Sequence, residues 1–327
     1  MKGRFLLGVV ISAVALWLAL RNVEGAELAR SLREVQLLYL LVAFVFTVLV
    51  RFWLTALRWQ VLLQPIKPIG THRLFSVTMI GFMANNILPA RMGEFVRAYA
   101  LGRTESLSKS LSLATIVVER VFDGLTLLGF LAVAVFFVPF PAWVAPAAEA
   151  SFALYLAVLG LMVWLWHRPE TASRWLGRLL GPFPPRLQAR AQEILRSFTL
   201  GLEVLTRGRH LAAVMGLSIL IWLVVIAGVQ IAFWALGLTL PLMAGIVLVT
   251  IVSLGVMLPS SPGFIGTFQF FTVTSLALFG VPESQGFSFS LVYHAMQYFP
   301  ITGMGLAYLW WENLSLREVR TSAEAAP

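Results

Sequence analysis

Leu88-Pro89-Ala90-Arg91-Met92-Gly93 and Leu258-Pro259-Ser260-Ser261-Pro262-Gly263 decide how this chain is read. Each interrupts an apolar region that would otherwise be one long helix. Proline removes a backbone donor and clashes with the preceding turn, and glycine frees the backbone, so the pair breaks a helix. Both stretches read Leu-Pro-x-x-x-Gly, and they stand 170 residues apart, at positions 88 and 258.

The surroundings of the two breaks correspond as well. A continuous apolar segment precedes each (37–57 and 210–236), and another follows each (114–138 and 288–311). With 4–20 and 150–167 these are the candidate membrane spans. Blocks of about 20 apolar residues cross a hydrocarbon core as helices. Only 12% of the chain is charged and 59% is hydrophobic. A soluble domain carries about 25% charged residues, so the sequence predicts an all-α polytopic membrane protein. Residues 1–20 begin with Lys2 and Arg4 and continue apolar, like a signal peptide. No small-x-small cleavage site precedes Arg21-Asn22, so they are read as a retained first span.

Charge sets the expected orientation. Segment 168–209 holds eight arginines against Glu170, Glu193 and Glu203, whereas 139–149, 237–242 and 280–287 hold no Lys or Arg. The positive-inside rule places the first in the cytoplasm and the other three outside. Lys2, Arg4, Arg317 and Arg320 put both termini inside, at a cytoplasmic membrane. Segment 21–36 runs against the rule with Arg21, Arg30 and Arg33, offset by Glu24, Glu27 and Glu34. With this parity the first interrupted region begins and ends inside and the second begins and ends outside. The arms 74–88 and 91–103 would be only about 20 Å long, which predicts a re-entrant hairpin. Arms 243–258 and 262–280, at about 24 and 28 Å, fit a hairpin or two full spans. The chain then reads as one membrane domain, 1–327. An inverted repeat (about 37–138 and 210–311) is joined by the cytoplasmic linker 168–209. Two unrelated kinked helices are the alternative. Paired interrupted segments in inverted repeats point to a transporter-type site near the midplane.

Several chemistries are excluded by what is missing. There is no cysteine, so no disulfide or thiolate. His72, His167, His210 and His294 form no metal-ligand spacing, and no metal or cofactor is expected. No P-loop and no G-x-S-x-G elbow occurs, and no enzymatic activity is expected. The net charge of +9 fits basic cytoplasmic loops rather than nucleic-acid binding. Segment 186–205 has helical apolar spacing with Arg186, Arg190 and Arg196 among it. It reads as an amphipathic helix on the inner leaflet or as a linker helix. The 11 tryptophans fit interfacial belts.

Ionisable residues at membrane depth are functional suspects because each is expensive there. Arg91, Glu94 and Arg97 follow i, i+3, i+6 and would line one helix face, net positive, suited to a phosphate; interfacial snorkelling is the alternative. Glu119, Arg120 and Asp123 lie within the span 114–138 and serve either as a structural lock for Arg91 or Arg97 or as a functional relay. Asn85 and Asn86 precede the first break, and Gln269, His294 and Gln297 accompany the second. They would satisfy broken backbone or contact a headgroup. Ser261-Pro262 reads as N-cap and first helical residue, with Gly263 following. Two half-helix N-termini would then converge on one anion. Arg51 and Arg58 are placed near the inner surface.

Asn86-Ile-Leu-Pro89-Ala-Arg-Met-Gly93-Glu94-Phe-Val-Arg97, Glu119-Arg120-Val-Phe-Asp123 and Pro259-Ser-Ser261-Pro262-Gly263-Phe-Ile-Gly266 resemble the lysylphosphatidylglycerol synthase transmembrane family, over nearly the whole chain. The resemblance implies a flippase-like membrane domain. In its best-known members this domain is fused to a cytoplasmic aminoacyl transferase, and in some archaeal relatives to a glycosyltransferase. Here a stand-alone member is expected, and synthase activity is not carried over. The expected function is translocation of an anionic or modified phospholipid, or a polyprenyl-phosphate lipid, between leaflets. The alternative is a non-catalytic membrane partner presenting lipid to a separate transferase; an enzyme using Glu119 and Asp123 as acid and base is a third, weaker idea. The expected substrate contacts are Asn86, Arg91, Glu94, Arg97, Glu119, Arg120, Asp123, Ser261 and Gly263.

Overall fold

A computed structural model describes residues 2–88, 92–138, 140, 144–202, 208–256, 260–316 and 318. Every element among them is helical. Helix α1 (Lys2–Leu20) turns through 89° into α2 (Gly25–Arg33). The continuous helix α3 (Leu37–Leu63) follows, with a π-helical segment at Val45–Val50. Then come α4 (Thr71–Ile87), α5 (Gly93–Glu105), α6 (Lys109–Ala134) and α7 (Val144–His167). Two shorter helices, α8 (Pro169–Leu179) and α9 (Pro185–Gly201), form the linker. The second half contains α10 (Gly208–Ala235), α11 (Leu242–Gly255), a 3-10 turn at Pro262–Phe264, α12 (Thr267–Ala277) and α13 (Glu283–Trp311).

The six expected spans are all helices. Leu37–Leu63, Glu149–His167 and Gly208–Ala235 are each long and apolar enough to cross a membrane unaided. Their outward side chains are apolar, as lipid demands: Leu37, Leu38, Phe152 and Leu154 are all at least half exposed. The chain is an all-α, multi-pass membrane protein.

The interrupted regions differ from expectation in detail. Helix α5 begins at Gly93. Pro89, Ala90, Arg91 and Pro259 lie outside the described residues. Ser261-Pro262 opens the 3-10 turn, not the second arm. Helix α12 starts only at Thr267, after Gly266 at φ 91°. Gly263, at φ 69°, occupies the left-handed region that favours glycine. The 17 and 13 residues of α4 and α5, and the 14 and 11 of α11 and α12, all fall short of the roughly 20 needed to cross.

Close backbone approach holds the first pair together. A Cβ on Gly93 would lie 2.1 Å from the carbonyl oxygen of Gly81, so α4 and α5 touch through glycines, as membrane helices commonly do. At their open ends Lys67 Nζ sits 2.9 Å from Glu105 Oε2, and Arg73 Nε 3.4 Å from Glu105 Oε1. Arg73 also pairs with Glu312 after α13. The start of α4, the end of α5 and the end of α13 therefore share one end of the molecule.

Packing partners correspond between the halves. Helix α3 packs on α10; α4 packs on α13 as α11 packs on α6; α5 adjoins α6 as α12 adjoins α13. Two main apolar cores result. One is built chiefly from α3–α6, around Phe52, Trp59, Met79 and Leu101. The other is built chiefly from α10–α13, around Phe233, Val247 and Phe289.

Candidate functional site

Charged side chains from α3, α5 and α6 meet inside the bundle. Glu119 on α6 is fully buried, and Arg58 on α3 and Arg97 on α5 are 1% and 2% exposed. Arg58 donates through Nη1 and Nη2 to the two carboxylate oxygens of Asp123, at 2.6 and 3.2 Å. Its Nη1 also donates to Ser218 Oγ on α10 at 2.8 Å, and its Nε lies 3.7 Å from Glu119. Arg97 makes a two-point pair with Glu119, and its guanidinium carbon stacks 3.7 Å from the Trp59 ring centroid. Trp59 in turn donates to Thr115 Oγ1 at 2.9 Å. Two guanidinium groups thus face two carboxylates through their terminal Nη atoms. Burial of charge requires that arrangement, because removing one partner from a buried pair costs about 3–5 kcal/mol.

Beside this lock lies a cavity of about 580 Å³ between the two halves. All four elements of the first half reach it: Arg51 from α3, Asn85 and Asn86 from α4, Glu94 from α5, and Arg120 and Asp123 from α6. From the second half come Trp222 of α10, Val252 and Ser253 of α11, Phe268 of α12, and Tyr293, His294 and Gln297 of α13. Leu154, Tyr155 and Val158 of α7 close one side. Its size and mixed lining match an amphiphile site, since ligand pockets of roughly 300–1,000 Å³ carry a few polar groups on apolar walls.

Arg51 is the first residue after the π segment of α3. Such segments carry one extra residue in the turn and recur at functional sites. Its guanidinium lies 5.0 and 5.7 Å from the Phe52 and Trp222 ring centroids. Among the described residues it makes no ion pair. Glu94 on the facing wall makes none either. Arg120 Nη2 lies 3.3 Å from Asp123 Oδ2, an oxygen already accepting from Arg58. Trp222 Nε1 donates to the other Asp123 oxygen at 3.1 Å.

Both helix starts at the breaks are already capped. Asn85 Oδ1 accepts the Gly93 N–H at 2.7 Å, and Gln269 Oε1 accepts the Gly266 N–H at 2.8 Å. Glu94, in the first turn of α5, places a carboxylate at that helix's positive end. With Oε1 of Gln269 occupied, its Nε2 donates to His294 Nδ1 at 3.0 Å. His294 stacks on Phe268 with ring centroids 4.5 Å apart. Asn86 Nδ2 donates to Thr302 Oγ1 at 2.9 Å, tying the end of α4 to α13.

The expected site residues therefore divide. Asn86, Glu94, Arg120 and Asp123 line the cavity. Arg97 and Glu119 do not; they pair with each other beside it. Ser261 is not among the lining residues. Its N–H donates to Ser12 Oγ at 2.8 Å and its hydroxyl to the Ile265 carbonyl at 3.0 Å. Gly263 is buried against Tyr298. Arg91 lies outside the described residues. Arg51, assigned by sequence near the inner surface with Arg58, lines the cavity, and Arg58 lies in the lock beside it, on a helix α3 that continues to Leu63 rather than ending near residue 57. Their i, i+7 spacing in an apolar helix was the available signal. No cluster of metal-ligating side chains occurs among the described residues.

Known proteins fit this picture. A UPF0104 membrane protein of Methanothermobacter thermautotrophicus is 25% identical, over 97% of this chain and 98% of its own length. Two UPF0104 membrane proteins of Methanocaldococcus jannaschii are also similar. One is 35% identical over 28% of each chain, the other 24% identical over 68% of this chain and 90% of its own. No solved structure matches. The family described as lysylphosphatidylglycerol synthase TM region matches residues 5–305, and the chain belongs to that family.

Proposed function

We propose that this protein is a lipid translocase, a flippase or scramblase. It moves an anionic or modified phospholipid, or a polyprenyl-phosphate lipid, between leaflets of the cytoplasmic membrane, with both termini in the cytoplasm. The observation that carries the reading is the cavity between the halves, where an unpaired arginine, Arg51, faces apolar walls. An arginine in an apolar membrane helix without a carboxylate pair is costly in lipid, and a phosphate group arriving with an acyl chain supplies both missing partners. Arg51 and Arg120 hold the phosphate, Glu94 and Asn86 meet the headgroup, and the apolar lining takes the chain. The pairwise correspondence of packing between the halves supports an inverted repeat, and the short arms support two re-entrant hairpins. Rocking of one half against the other then exposes the cavity to each leaflet in turn, by analogy with inverted-repeat transporters. The reading assigns no catalytic residue.

Leaflet exchange of fluorescent phospholipids in proteoliposomes tests it. Exchange above that of empty liposomes, lost in Arg51→Ala while the protein remains monodisperse, is the expected result. No exchange with any of several anionic lipids removes the translocase reading.

A second reading is a membrane partner that presents lipid to a separate transferase. It is favoured by the linker helices, where Trp175, Leu179 and Phe183 are exposed beside Arg174, Arg178 and Arg186. Lipid binding without exchange by the isolated protein is its signature.

A further inference from the structure

The linker helices carry a surface that the cavity does not use. Residues 168–201 hold six arginines against Glu170 and Glu193. All six arginines are exposed, and none makes an ion pair among the described residues. Large apolar side chains stand among them. Trp175 and Leu179 on α8 are 63% and 72% exposed, and Phe183, Leu187 and Ile194 are each at least 40% exposed. Trp175 and Leu179 are four residues apart and share a face of α8; Arg174 and Arg178, also four apart, form the neighbouring stripe. The far side of α8 is occupied. Ser173 donates to Gln192 Oε1 on α9 at 2.6 Å, and its carbonyl accepts from Gln192 Nε2 at 2.8 Å. The α8–α9 hairpin is therefore closed on one side and open on the other.

Two connections fix the level at which this hairpin sits. Only Arg168 separates His167, the last residue of the span α7, from Pro169, the first of α8. Helix α9 packs on the start of α6, where a Cβ on Gly201 would lie 2.6 Å from the Ala114 side chain and 2.8 Å from the Leu111 carbonyl oxygen. The hairpin is held where one membrane helix ends and another begins, which is the membrane surface. By the orientation argued from loop charge, that surface is the cytoplasmic one.

We propose that α8–α9 is a membrane-surface anchor for anionic lipid. Trp175, Leu179 and Phe183 enter the interfacial layer of the adjoining leaflet, and Arg174 and Arg178 bind the phosphates of its anionic headgroups. This surface is separate from the cavity and does not depend on translocation. A helix of this kind sinks its apolar stripe into the boundary between headgroups and acyl chains. Arginine stems lie along that apolar surface while their guanidinium groups stay at headgroup level, and tryptophan favours the same depth. A hairpin facing water would leave the stripe uncovered, and a partner protein would have to displace a bilayer that both connections already bring to it. The excess of arginine over glutamate selects anionic over zwitterionic lipid, because each basic residue near an anionic leaflet strengthens the attraction roughly fivefold.

The chain contains no cysteine, so a single environment-sensitive fluorophore can be attached at Leu179→Cys in the full-length protein. The labelled protein is reconstituted into nanodiscs of phosphatidylcholine alone, or of phosphatidylcholine and phosphatidylglycerol in equal parts. Quenching by nitroxides on the lipid acyl chains reports entry into the leaflet, and quenching by neutral acrylamide reports contact with water. In the mixed lipid, strong nitroxide quenching with weak acrylamide quenching is expected, and in phosphatidylcholine alone the balance moves toward acrylamide. Adding Arg174→Gln and Arg178→Gln lowers the ratio of docked to undocked fluorophore in the mixed lipid by about thirtyfold, the worth of two surface arginines. Arg174→Lys with Arg178→Lys keeps the docking, because it keeps the charge. Acrylamide quenching without nitroxide quenching in both lipids overturns the proposal and leaves the patch to a protein partner. Equal nitroxide quenching in the two lipids overturns it as well, since anionic headgroups then play no part. Both of these outcomes are read with every arginine in place, so a folding defect in the arginine variants does not mask them.

Discussion

Arg58 and Asp123 face each other through two hydrogen bonds, 2.6 and 3.2 Å long, across the contact between α3 and α6. Ser218 of α10 and Trp222 of α10 join the same pair. One guanidinium thereby fastens three helices drawn from both halves of the molecule. Arg58→Met removes the two-point partner of Asp123, leaving it Arg120 and Trp222, and is expected to destabilise the protein by up to about 3–5 kcal/mol. Thermal unfolding in detergent reads this. Adding Asp123→Leu to Arg58→Met removes the under-compensated carboxylate and recovers part of the loss. A double variant no more stable than the single one refutes the pairing.

Arg97 and Arg51 separate structure from binding. Arg97→Gln breaks the pair with Glu119 and the contact with Trp59, so it lowers stability by a similar amount and reduces exchange only by reducing folded protein. Arg51→Gln has no ion pair to break. Its melting temperature stays close to wild type, while phosphatidylglycerol exchange falls about tenfold or more, as loss of one charge-assisted contact implies. Equal melting losses in the two variants contradict this division.

Gly93 is the point where the first hairpin closes. A Cβ there would meet the Gly81 carbonyl at 2.1 Å and the Asn85 side chain at 2.5 Å. Gly93→Ala forces the two arms apart and displaces the Asn85 cap, with an expected cost of about 1–3 kcal/mol for the overpacking. Gly160 on α7 has no heavy atom within 4 Å of its Cβ position, so Gly160→Ala does not lower the melting temperature, and the better helix former raises it slightly. Comparing the two variants by thermal unfolding checks the close approach.

The orientation argued from loop charge is open to labelling, because the chain contains no cysteine. A single cysteine at Arg178 in the linker is expected to react with a membrane-impermeant thiol reagent only from the cytoplasmic side. One at Thr239, an exposed residue between α10 and α11, reacts only from outside. Labelling of both from the same side contradicts the orientation.

Much of this arrangement was readable before any coordinates. The six apolar segments became helices because backbone polar groups in lipid must be satisfied within the helix, and composition alone signals that. The interruptions near Pro89 and Pro259 were legible as breaks for the same reason. Helix ends were less so. Nothing between Leu57 and Leu63 marks a stop, so a span ended near residue 57 puts Arg58 at the surface. Helix α3 runs six residues further, and Arg58 is buried against Asp123. Ser261-Pro262 carries a helix-start pattern, but Gly263 and Gly266 at positive φ delay the helix by several residues.

Within the candidate site, sequence identified the ionisable residues at membrane depth, because each is an anomaly in an apolar helix and stands out one at a time. It could not assign their partners. Arg97 and Glu119 are 22 residues apart, Arg58 and Asp123 are 65 apart, and Arg58 and Ser218 are 160 apart. Whether an arginine is locked by a carboxylate or left facing a cavity depends on which helices cross at that depth. Composition and periodicity therefore determined that this is a helical membrane protein with two broken segments. Only the packing of α3, α5, α6 and α10 decided that Arg58 and Arg97 are paired with Asp123 and Glu119 while Arg51 lines the cavity, since charge pairing depends on distance across the fold and not on spacing along the chain.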